Sequence, residues 1–410
     1  MNAKELLGKK LYKRRAAEGK IAGPVVKIAI GAIALGVSVM LLALCIVDGF
    51  QNEIRAKVTG FGAHLVVNKI EANASYELSP IELDKALFGE IKSIKQVKNL
   101  QPFAQKAGIL RKSNALEGIL FKGVNSQYDW QFFKQYLTKG RVPEIADTGS
   151  RSSEIILSSY LASKLQVDVD SAIVAYFIQD PPKARKFIIT GIFNTGIQEG
   201  GFDQLIVMGD IKQVQKLNNW NDNQMSGFEV NVNRFQDIAP AFDAVFDMIP
   251  MDWKVESIMD RFPQIFNWIE LQDINVIIII VLMLVVGIIN MVTALLIMLL
   301  ENTSLIGLLK SLGANNAFIQ SLFLRMAFRM ILLGLVIGNL LGLGLAFLQH
   351  QTHFLKLDSS SYYVSYVPIG FNPLQFLLLN LSVVVICLIS MFLPLLIIRR
   401  FSPTEVLRYD

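Results

Sequence analysis

Four long stretches of this chain carry no charged side chain, and they are unevenly spaced. Each is long enough to cross the hydrocarbon core of a bilayer, which takes about 20 apolar residues in a helix. The stretches are Ile28–Val47, Val276–Leu300, Met330–Leu348 and Leu374–Ile398. We therefore predict a membrane protein whose largest loop, between the first two stretches, is a domain in itself.

The predicted fold has four transmembrane helices with a large extracytoplasmic α+β domain inserted between helices 1 and 2. The predicted segments are a basic N-terminus (1–27), span one (28–48), the inserted domain (49–272), span two (273–300), a cytoplasmic coupling helix (301–318), span three (319–349), a short outer loop (350–372), span four (373–398) and a tail (399–410). Within the inserted domain, apolar runs and alternation predict strands at 154–158, 172–178, 187–193, 205–208 and 228–232. Helical patterns occur at 80–95 and 237–248, and the returning helix is predicted to begin near Arg261.

Basic residues cluster at the ends of the predicted spans. Eight lysines and arginines precede the first span, whereas the loop 350–372 has only Lys356. Positive-inside counting therefore predicts that both termini are cytoplasmic and that the large domain is outside. We interpret the first stretch as an uncleaved anchor, because it is too long for a signal peptide. The net charge of +5 is an orientation signal and indicates no nucleic-acid partner.

Four leucines after the second span fall at i, i+3, i+4 and i+7, on one face of a short helix. They are Leu305, Leu308, Leu309 and Leu312. Asn302, Thr303 or Ser304 can cap the start of this helix, and Gly313 can end it in a left-handed turn. Such a helix suits docking of a soluble partner, or alternatively rests on the bilayer surface.

Span three carries a row of small residues, Gly334, Gly338 and Gly342, each four positions apart. Such a row lets a second helix approach closely, because helix packing in lipid depends on small residues. The alternative is that glycine is simply common in membrane helices.

Several kinds of chemistry are missing from the sequence. It has no Gly-rich loop ending in Gly-Lys-Ser/Thr, and no ionisable residue lies in the middle of a span. His350 and His353 make at most a weak metal pair, and His64 is interpreted as structural. Cys45 and Cys387 both lie in apolar stretches, so no disulfide is expected in the large domain. We predict a non-enzymatic chain without a cofactor, with any ATPase on another polypeptide.

Four segments resemble one known family. They are Ile30–Val37 followed by Asp48-Gly49-Phe50, Phe187–Gly196 with Glu199 and Asp203, Ile306–Ala314, and Pro403–Asp410. Together they are similar to the lipoprotein-releasing permeases (the LolC/LolE family), which are FtsX-like and MacB-like type VII ABC transporter permeases. The resemblance covers nearly the whole chain.

The resemblance implies a permease of the bacterial inner membrane that extracts lipoproteins by ATP-driven mechanotransmission. Its implied partners are a cytoplasmic ATPase dimer, a second permease subunit, identical or paralogous, and a periplasmic lipoprotein carrier. The residues that it assigns to the ATPase contact are Leu305, Ile306, Leu308, Leu309, Lys310, Leu312 and Gly313. The loop 179–186 is short where the LolC type has a carrier-binding hook, which favours a LolE-like role. A MacB-like efflux permease and an FtsX-like signalling permease that controls a cell-wall hydrolase are the alternatives.

Overall fold

The computed structural model describes residues 22–71, 77–82, 84–113, 115–147, 149–196, 202–358, 362, 364–392 and 394. The chain separates into two compact units. The membrane unit comprises the chain up to Asn52, Trp268–Lys356 and the chain from Tyr366 onward, and the outer domain comprises Glu53–Asn267 and Leu357–Ser365. Three parts of the predictions lie outside the described residues. They are the segment 403–410, Glu199 and most of the basic N-terminus.

The helices are α1 (Ala22–Gly62), α2 (Lys85–Ser93), α3 (Gln131–Tyr136), α4 (Ser159–Leu165), α5 (Phe202–Leu205), α6 (Ile211–Asn218), α7 (Ile238–Phe246), α8 (Ile258–Arg261), α9 (Pro263–Glu301), α10 (Thr303–Ser311), α11 (Asn316–Thr352) and α12 (Pro373–Ser390). The strands are β1 (Leu65–Lys69), β2 (Ile81–Glu82), β3 (Val97–Lys112), β4 (Ala115–Val124), β5 (Leu137–Gly140), β6 (Glu154–Ser158), β7 (Ala172–Phe177), β8 (Lys183–Phe193), β9 (Ile206–Asp210), β10 (Gln224–Met225), β11 (Gly227–Val232) and β12 (Trp253–Ser257).

Four helices, α1, α9, α11 and α12, are long and apolar enough to cross a membrane. Helix α1 has 41 residues, which at 1.5 Å per residue is about 60 Å, twice the thickness of a hydrocarbon core. It continues beyond residue 48, the predicted end of the first span, because no proline interrupts residues 25–62. The returning helix α9 begins at Pro263, a residue that suits the first helical position, and not at Arg261.

The helices of the membrane unit share one apolar core. Val37 and Leu41 of α1, Leu295 of α9, Ile331 of α11 and Val383 of α12 are all buried in it. Helix α9 is the least covered of the four, with 11% of its most apolar window buried against 39% for α1. Most of the surface of α9 is therefore left for lipid or for another subunit.

Ten strands of the described outer domain form one sheet, and six of them close into a ring. Around the ring, β3 pairs with β4, β4 with β9, β9 with β6, β6 with β8, β8 with β7, and β7 again with β3. Phe121, Phe177 and Phe187 are fully buried and contact one another, with ring centroids 5.2 to 6.5 Å apart. Since ring closure removes unpaired strand edges, this part of the domain is a small barrel with an aromatic core.

The remaining part of the sheet continues from β3 through β11 and β1 to β12, with antiparallel pairing throughout. On β11, the buried Phe228 and Val230 alternate with Glu229 and Asn231. The register places Gln101 of β3 opposite Glu229, so polar side chains share one face of this sheet. That face carries a cleft, described below.

The predicted α+β class of the outer domain is confirmed. The five strands predicted from the sequence correspond to β6, β7, β8, β9 and β11, and the helix predicted at 237–248 is α7. The helix predicted at 80–95 is wrong in its first part, where Ile81–Glu82 pairs with β10. Helix α2 starts only at Lys85, because the side chain of Asp84 caps it by accepting from the Ala86 N–H.

Candidate functional site

The predicted coupling segment folds as the short helix α10, with Leu312 at its C-cap. Gly313 has a φ of +85°, and the Ala314 N–H donates to the Leu309 carbonyl at 2.9 Å. The predicted left-handed turn is therefore confirmed. Asn302, one of the predicted capping residues, is the N-cap of α10, but its side chain makes no capping bond. Its Nδ2 instead donates back to the Met298 carbonyl of α9 at 2.6 Å. That carbonyl belongs to the last turn of α9 and needs a donor.

The leucine stripe of α10 is divided between two environments. Ile306 is completely buried in the core of the membrane unit, and Leu309 packs against the same core. Leu308 and Leu312, four residues apart, are 52% and 75% exposed, and Leu305 is half-buried. The exposed apolar part of α10 is therefore the Leu308–Leu312 edge, which we call the docking edge after the partner contact predicted for this helix.

The glycine row of α11 lies against α1. A Cβ atom at Gly334 would be 2.6 Å from Cγ2 of Ile33, and a Cβ at Gly338 would be 2.6 Å from the Ala34 carbonyl oxygen. At Gly342 it would be 2.9 Å from a methyl group of Leu41. Nothing larger than glycine fits these positions without movement, so the two backbones are in close contact.

A polar pair joins α11 to α12 within otherwise apolar sequence. Asn339 Nδ2 donates to Asn380 Oδ1 at 2.6 Å, and Asn380 Nδ2 donates to the Phe376 carbonyl at 2.9 Å. Sequence reasoning missed this pair. Two asparagines in uncharged stretches were the available signal, since polar side chains in membrane helices usually bond to one another.

The Asp48-Gly49-Phe50 motif is explained by the chain that enters α12. The Gly370 N–H donates to the Cys45 carbonyl of α1 at 2.8 Å. A Cβ atom on Gly49 would lie 2.6 Å from the Gly370 nitrogen, so glycine is needed where the two segments meet. Phe50 packs edge-on against Trp268 of α9, with centroids 6.4 Å apart. The motif thus joins α1 to both α9 and the loop before α12.

The outer end of α1 carries a buried lysine, Lys57, that faces Thr195 and Asp203. Lys57 Nζ donates to the Thr195 carbonyl at 3.0 Å. Thr195 Oγ1 and the Gly196 N–H donate to the two carboxylate oxygens of the buried Asp203, at 2.9 and 3.0 Å. Burial raises the pKa of Asp203 above its ordinary value, while these hydrogen bonds and the Lys57 charge act in the opposite direction. The segment that resembles the releasing permeases is therefore fixed to α1 through Lys57.

Among the described residues, no group of three or more His, Cys, Asp or Glu side chains could hold a metal ion. His353 lies just after α11 with a φ of +47°. Its ring contacts the Tyr366 ring at a tilted angle, with centroids 4.0 Å apart. His353 therefore packs in the loop after α11 and does not share a helix face with His350.

Two known protein families match successive parts of this chain. The MacB-like periplasmic core domain matches residues 28–245, which is more than half of the chain. The FtsX-like permease C-terminal family matches residues 277–403. The two matches together cover part or all of each of the four candidate spans and most of the outer domain.

Curated relatives match along almost their whole length. The lipoprotein-releasing system transmembrane protein LolC of Buchnera aphidicola subsp. Schizaphis graminum is 21% identical over 401 residues, which is 93% of this chain and 93% of that protein. LolE of Haemophilus influenzae is 22% identical over 426 residues, which is 97% of each. LolC of Neisseria meningitidis serogroup B is 22% identical over 407 residues.

Among solved structures, the periplasmic region of MacB from Actinobacillus actinomycetemcomitans covers 51% of this chain and 95% of its own length, at 12% identity and a TM-score of 0.35. The extracellular domain of the noncanonic ABC-type transporter YknZ from Gram-positive bacteria covers 47% and 99%, at 16% identity and a TM-score of 0.33. On the strength of the sequence match over more than half of its length, this chain belongs to the family of proteins with a MacB-like periplasmic core domain.

Proposed function

We propose that this chain is the permease subunit of an ABC transporter that extracts lipoproteins from the inner membrane and passes them to a periplasmic carrier. One observation carries the proposal. Relatives named as LolC and LolE transmembrane proteins of lipoprotein-releasing systems match over 92 to 97% of this chain and of their own length. Matches of that extent include the spans, the outer domain and the link that contains α10.

In the proposed mechanism, an ATPase dimer on a separate polypeptide presses on α10 when it binds ATP. The docking edge, Leu308 and Leu312, receives the force because it is the exposed apolar part of α10. Ile306 and the bond from Asn302 to α9 tie α10 to the membrane core. From there, the glycine row couples α11 to α1, and α1 is one continuous helix into the outer domain. In this mechanism, movement of α10 is transmitted to the outer domain through packed helices, and no charged residue inside the membrane takes part.

The proposed topology places both termini and α10 in the cytoplasm, with the outer domain in the periplasm. A second permease subunit, identical or paralogous, would cover part of the exposed surface of α9. The turn between β7 and β8 has only residues 178–182, shorter than the 179–186 loop read from the sequence, because β8 begins at Lys183. So short a turn favours a LolE-like role, with carrier recruitment by the other subunit.

Depletion of this chain tests the proposed function. We expect lipoproteins destined for the outer membrane to accumulate in the inner membrane, measured by membrane fractionation and mass spectrometry. Restoring the wild-type chain should reverse the accumulation. Normal sorting after complete depletion would contradict the proposal.

The docking edge has its own test. Leu308→Asp should weaken ATPase binding at least about tenfold, because a carboxylate replaces an apolar side chain whose burial stabilises the contact. The matched control is Leu116→Asp, which changes an equally exposed leucine of the outer domain. We would measure the ATPase that copurifies with each variant. Equal recovery of the ATPase with both variants would refute the docking role.

A MacB-like efflux permease is the second candidate, and the match to the MacB-like periplasmic core domain favours it. Under this alternative, depletion changes sensitivity to macrolides or peptides and leaves lipoprotein sorting intact. Measuring both phenotypes in the same depletion strain separates the two candidates.

A further inference from the structure

A cleft of about 560 Å³ opens in the outer domain on the polar face of the β3–β11 sheet. Asn99 and Gln101 of β3 and Asn231 of β11 line its floor, with Asn99 directly opposite Asn231. Gln131 and Gln135 of α3 line one wall. A cleft lined by so many side-chain amides can donate and accept hydrogen bonds side by side.

The amides on the floor are only partly satisfied by the protein. Asn231 Oδ1 accepts from His64 Nδ1 at 3.2 Å, and Asn231 Nδ2 donates to Gln101 Oε1 at 3.2 Å. Gln101 Nε2 and Asn99 Oδ1 are buried and make no hydrogen bond to any described residue. An unpaired buried donor and acceptor are unfavourable. A peptide offers a C=O and an N–H together, so it can supply both partners once these two amide groups turn toward the cleft.

The floor of the cleft is uncharged near neutral pH. Burial lowers the pKa of His64 and raises that of Tyr128, so both side chains are neutral there. The charged residues that line the cleft are Lys98 and Arg234, both exposed, and the half-buried Asp129, whose Oδ1 accepts from the Gln131 N–H at 3.0 Å. The neutral amides of the floor suit a hydrogen-bonding ligand and do not suit a buried phosphate.

The aromatic side chains of the cleft favour a peptide over a sugar. Sugars are usually held by stacking on an open ring face. The Phe235 ring instead stacks on Phe266, with centroids 5.8 Å apart, and the Arg55 guanidinium lies 4.7 Å from its centroid. Phe132 packs closely on the backbone of α1 at Gly60. Both rings are therefore already engaged by the protein.

The cargo proposed above supplies such a ligand, because a lipoprotein carries a polypeptide segment directly after its lipid-modified end.

We propose that this cleft binds the polypeptide segment that follows the lipid-modified end of the cargo, in an extended conformation. The proposal rests on the lipoprotein-releasing function proposed above. It assigns cargo recognition to Asn99, Gln101, Asn231, Gln131 and Gln135, apart from the spans that would hold the acyl chains.

Site-specific photo-crosslinking tests the proposal. The full complex with its ATPase, in lipid nanodiscs, is loaded with a lipid-modified reporter protein whose lipidated end is followed by a flexible Gly/Ser segment. A benzophenone side chain is placed at Gln131 or Gln135, both exposed on α3, and at Lys164, an exposed control on α4 outside the cleft. We expect crosslinks from positions 131 and 135 to the segment that follows the lipidated end. Crosslinks no stronger than those from position 164 would overturn the proposal, as would crosslinks to a copurified glycan.

A binding measurement provides the second readout. The double variant Gln131→Ala with Gln135→Ala should weaken reporter binding about tenfold, because it removes two neutral hydrogen bonds. Lys164→Ala is the control, and unchanged thermal unfolding of both variants excludes misfolding. Unchanged affinity of the double variant would overturn the assignment. If the wild-type complex does not release the reporter with ATP, the proposed function fails; if it releases the reporter without crosslinks from 131 or 135, only the cleft assignment fails.

Discussion

Helix α1 is packed differently in its membrane part, which ends at Asn52, and in its last ten residues, Glu53–Gly62, which belong to the outer domain. The membrane part contacts the glycine row of α11 closely, at Ile33 and Ala34. The last ten residues bury a charged side chain, Lys57, against the Thr195 carbonyl. One continuous helix therefore uses two different ways of fixing its neighbours.

The difference follows from the surroundings. Lipid tails are as apolar as leucine, so membrane helices gain nothing from hiding apolar surface and depend on close contact between small residues. In a water-exposed domain, burial of apolar surface supplies the stability, and a buried charge is tolerated only with a partner. The buried pair of Lys122 and Glu229, with Nζ and Oε1 2.5 Å apart, follows the same rule.

The largest expected loss of stability is at Lys57, in the part of α1 that belongs to the outer domain. Lys57→Met should lower the free energy of unfolding by about 3 kcal/mol, because it leaves the Thr195 carbonyl unpaired and removes a cation near the buried Asp203. Lys134→Met, which changes an exposed lysine of α3, should change it by less than about 0.5 kcal/mol. Thermal unfolding of the purified full chain measures both. Equal melting temperatures for the two variants would show that the buried Lys57 does not fix this part of α1.

The next largest loss of stability is expected at the contact between the glycine row of α11 and the membrane part of α1. Gly338→Leu should destabilise the membrane unit by about 2 kcal/mol, because the new side chain overlaps the Ala34 carbonyl. Gly344→Leu is a matched control on the same helix, since a Cβ atom there meets nothing within 4 Å. Thermal unfolding of the two variants in detergent, monitored by size-exclusion chromatography, compares their stabilities. A Gly344 variant as unstable as the Gly338 variant would mean that the overlap with the Ala34 carbonyl is not responsible, since leucine favours a helix more than glycine does.

A smaller loss of stability is expected at the hydrogen bond between Asn339 of α11 and Asn380 of α12. Asn339→Leu should cost about 1 kcal/mol, the usual value for a polar pair between membrane helices. It removes the 2.6 Å bond to Asn380. The double variant with Asn380→Leu should lose little more than the single one, and a double-mutant cycle of unfolding free energies measures this coupling. Fully additive losses would show that the pair contributes nothing as a pair.

The smallest effect belongs to a surface ion pair of the outer domain. Arg141 lowers the pKa of Glu154 through two hydrogen bonds, at 2.5 and 2.9 Å. A carboxyl whose folded pKa is lowered contributes stability above its unfolded pKa of about 4.3, and loses it as the pH falls through the folded value. Glu154→Gln should therefore cost less than about 1 kcal/mol near neutral pH, since half of the Arg141 side chain is exposed. The difference from wild type should vanish in acid, and a pH series of unfolding measurements checks it.

Local patterns predicted much of this molecule. The first three uncharged stretches fall within long helices, and the fourth includes all of α12 after Pro373. Alternation or apolar runs identified β6, β7, β8, β9 and β11. Gly313 marks the left-handed turn after α10 as expected. These features depend on neighbouring residues in the sequence, through helix period, strand period and glycine conformation, so the sequence is sufficient to find them.

The sequence by itself determined a chain with four spans, a large inserted α+β domain and a short leucine-rich link. Only the tertiary structure decided that Ile306 is buried while Leu308 and Leu312 stay exposed, that the glycine row packs on α1, and that β7 returns to β3 to close the barrel. The amides of the cleft likewise come from three separate segments, with Asn231 of β11 130 residues away from Gln101 of β3. Each of these features depends on which distant segments meet, and the pattern of any one segment contains no information about its partner.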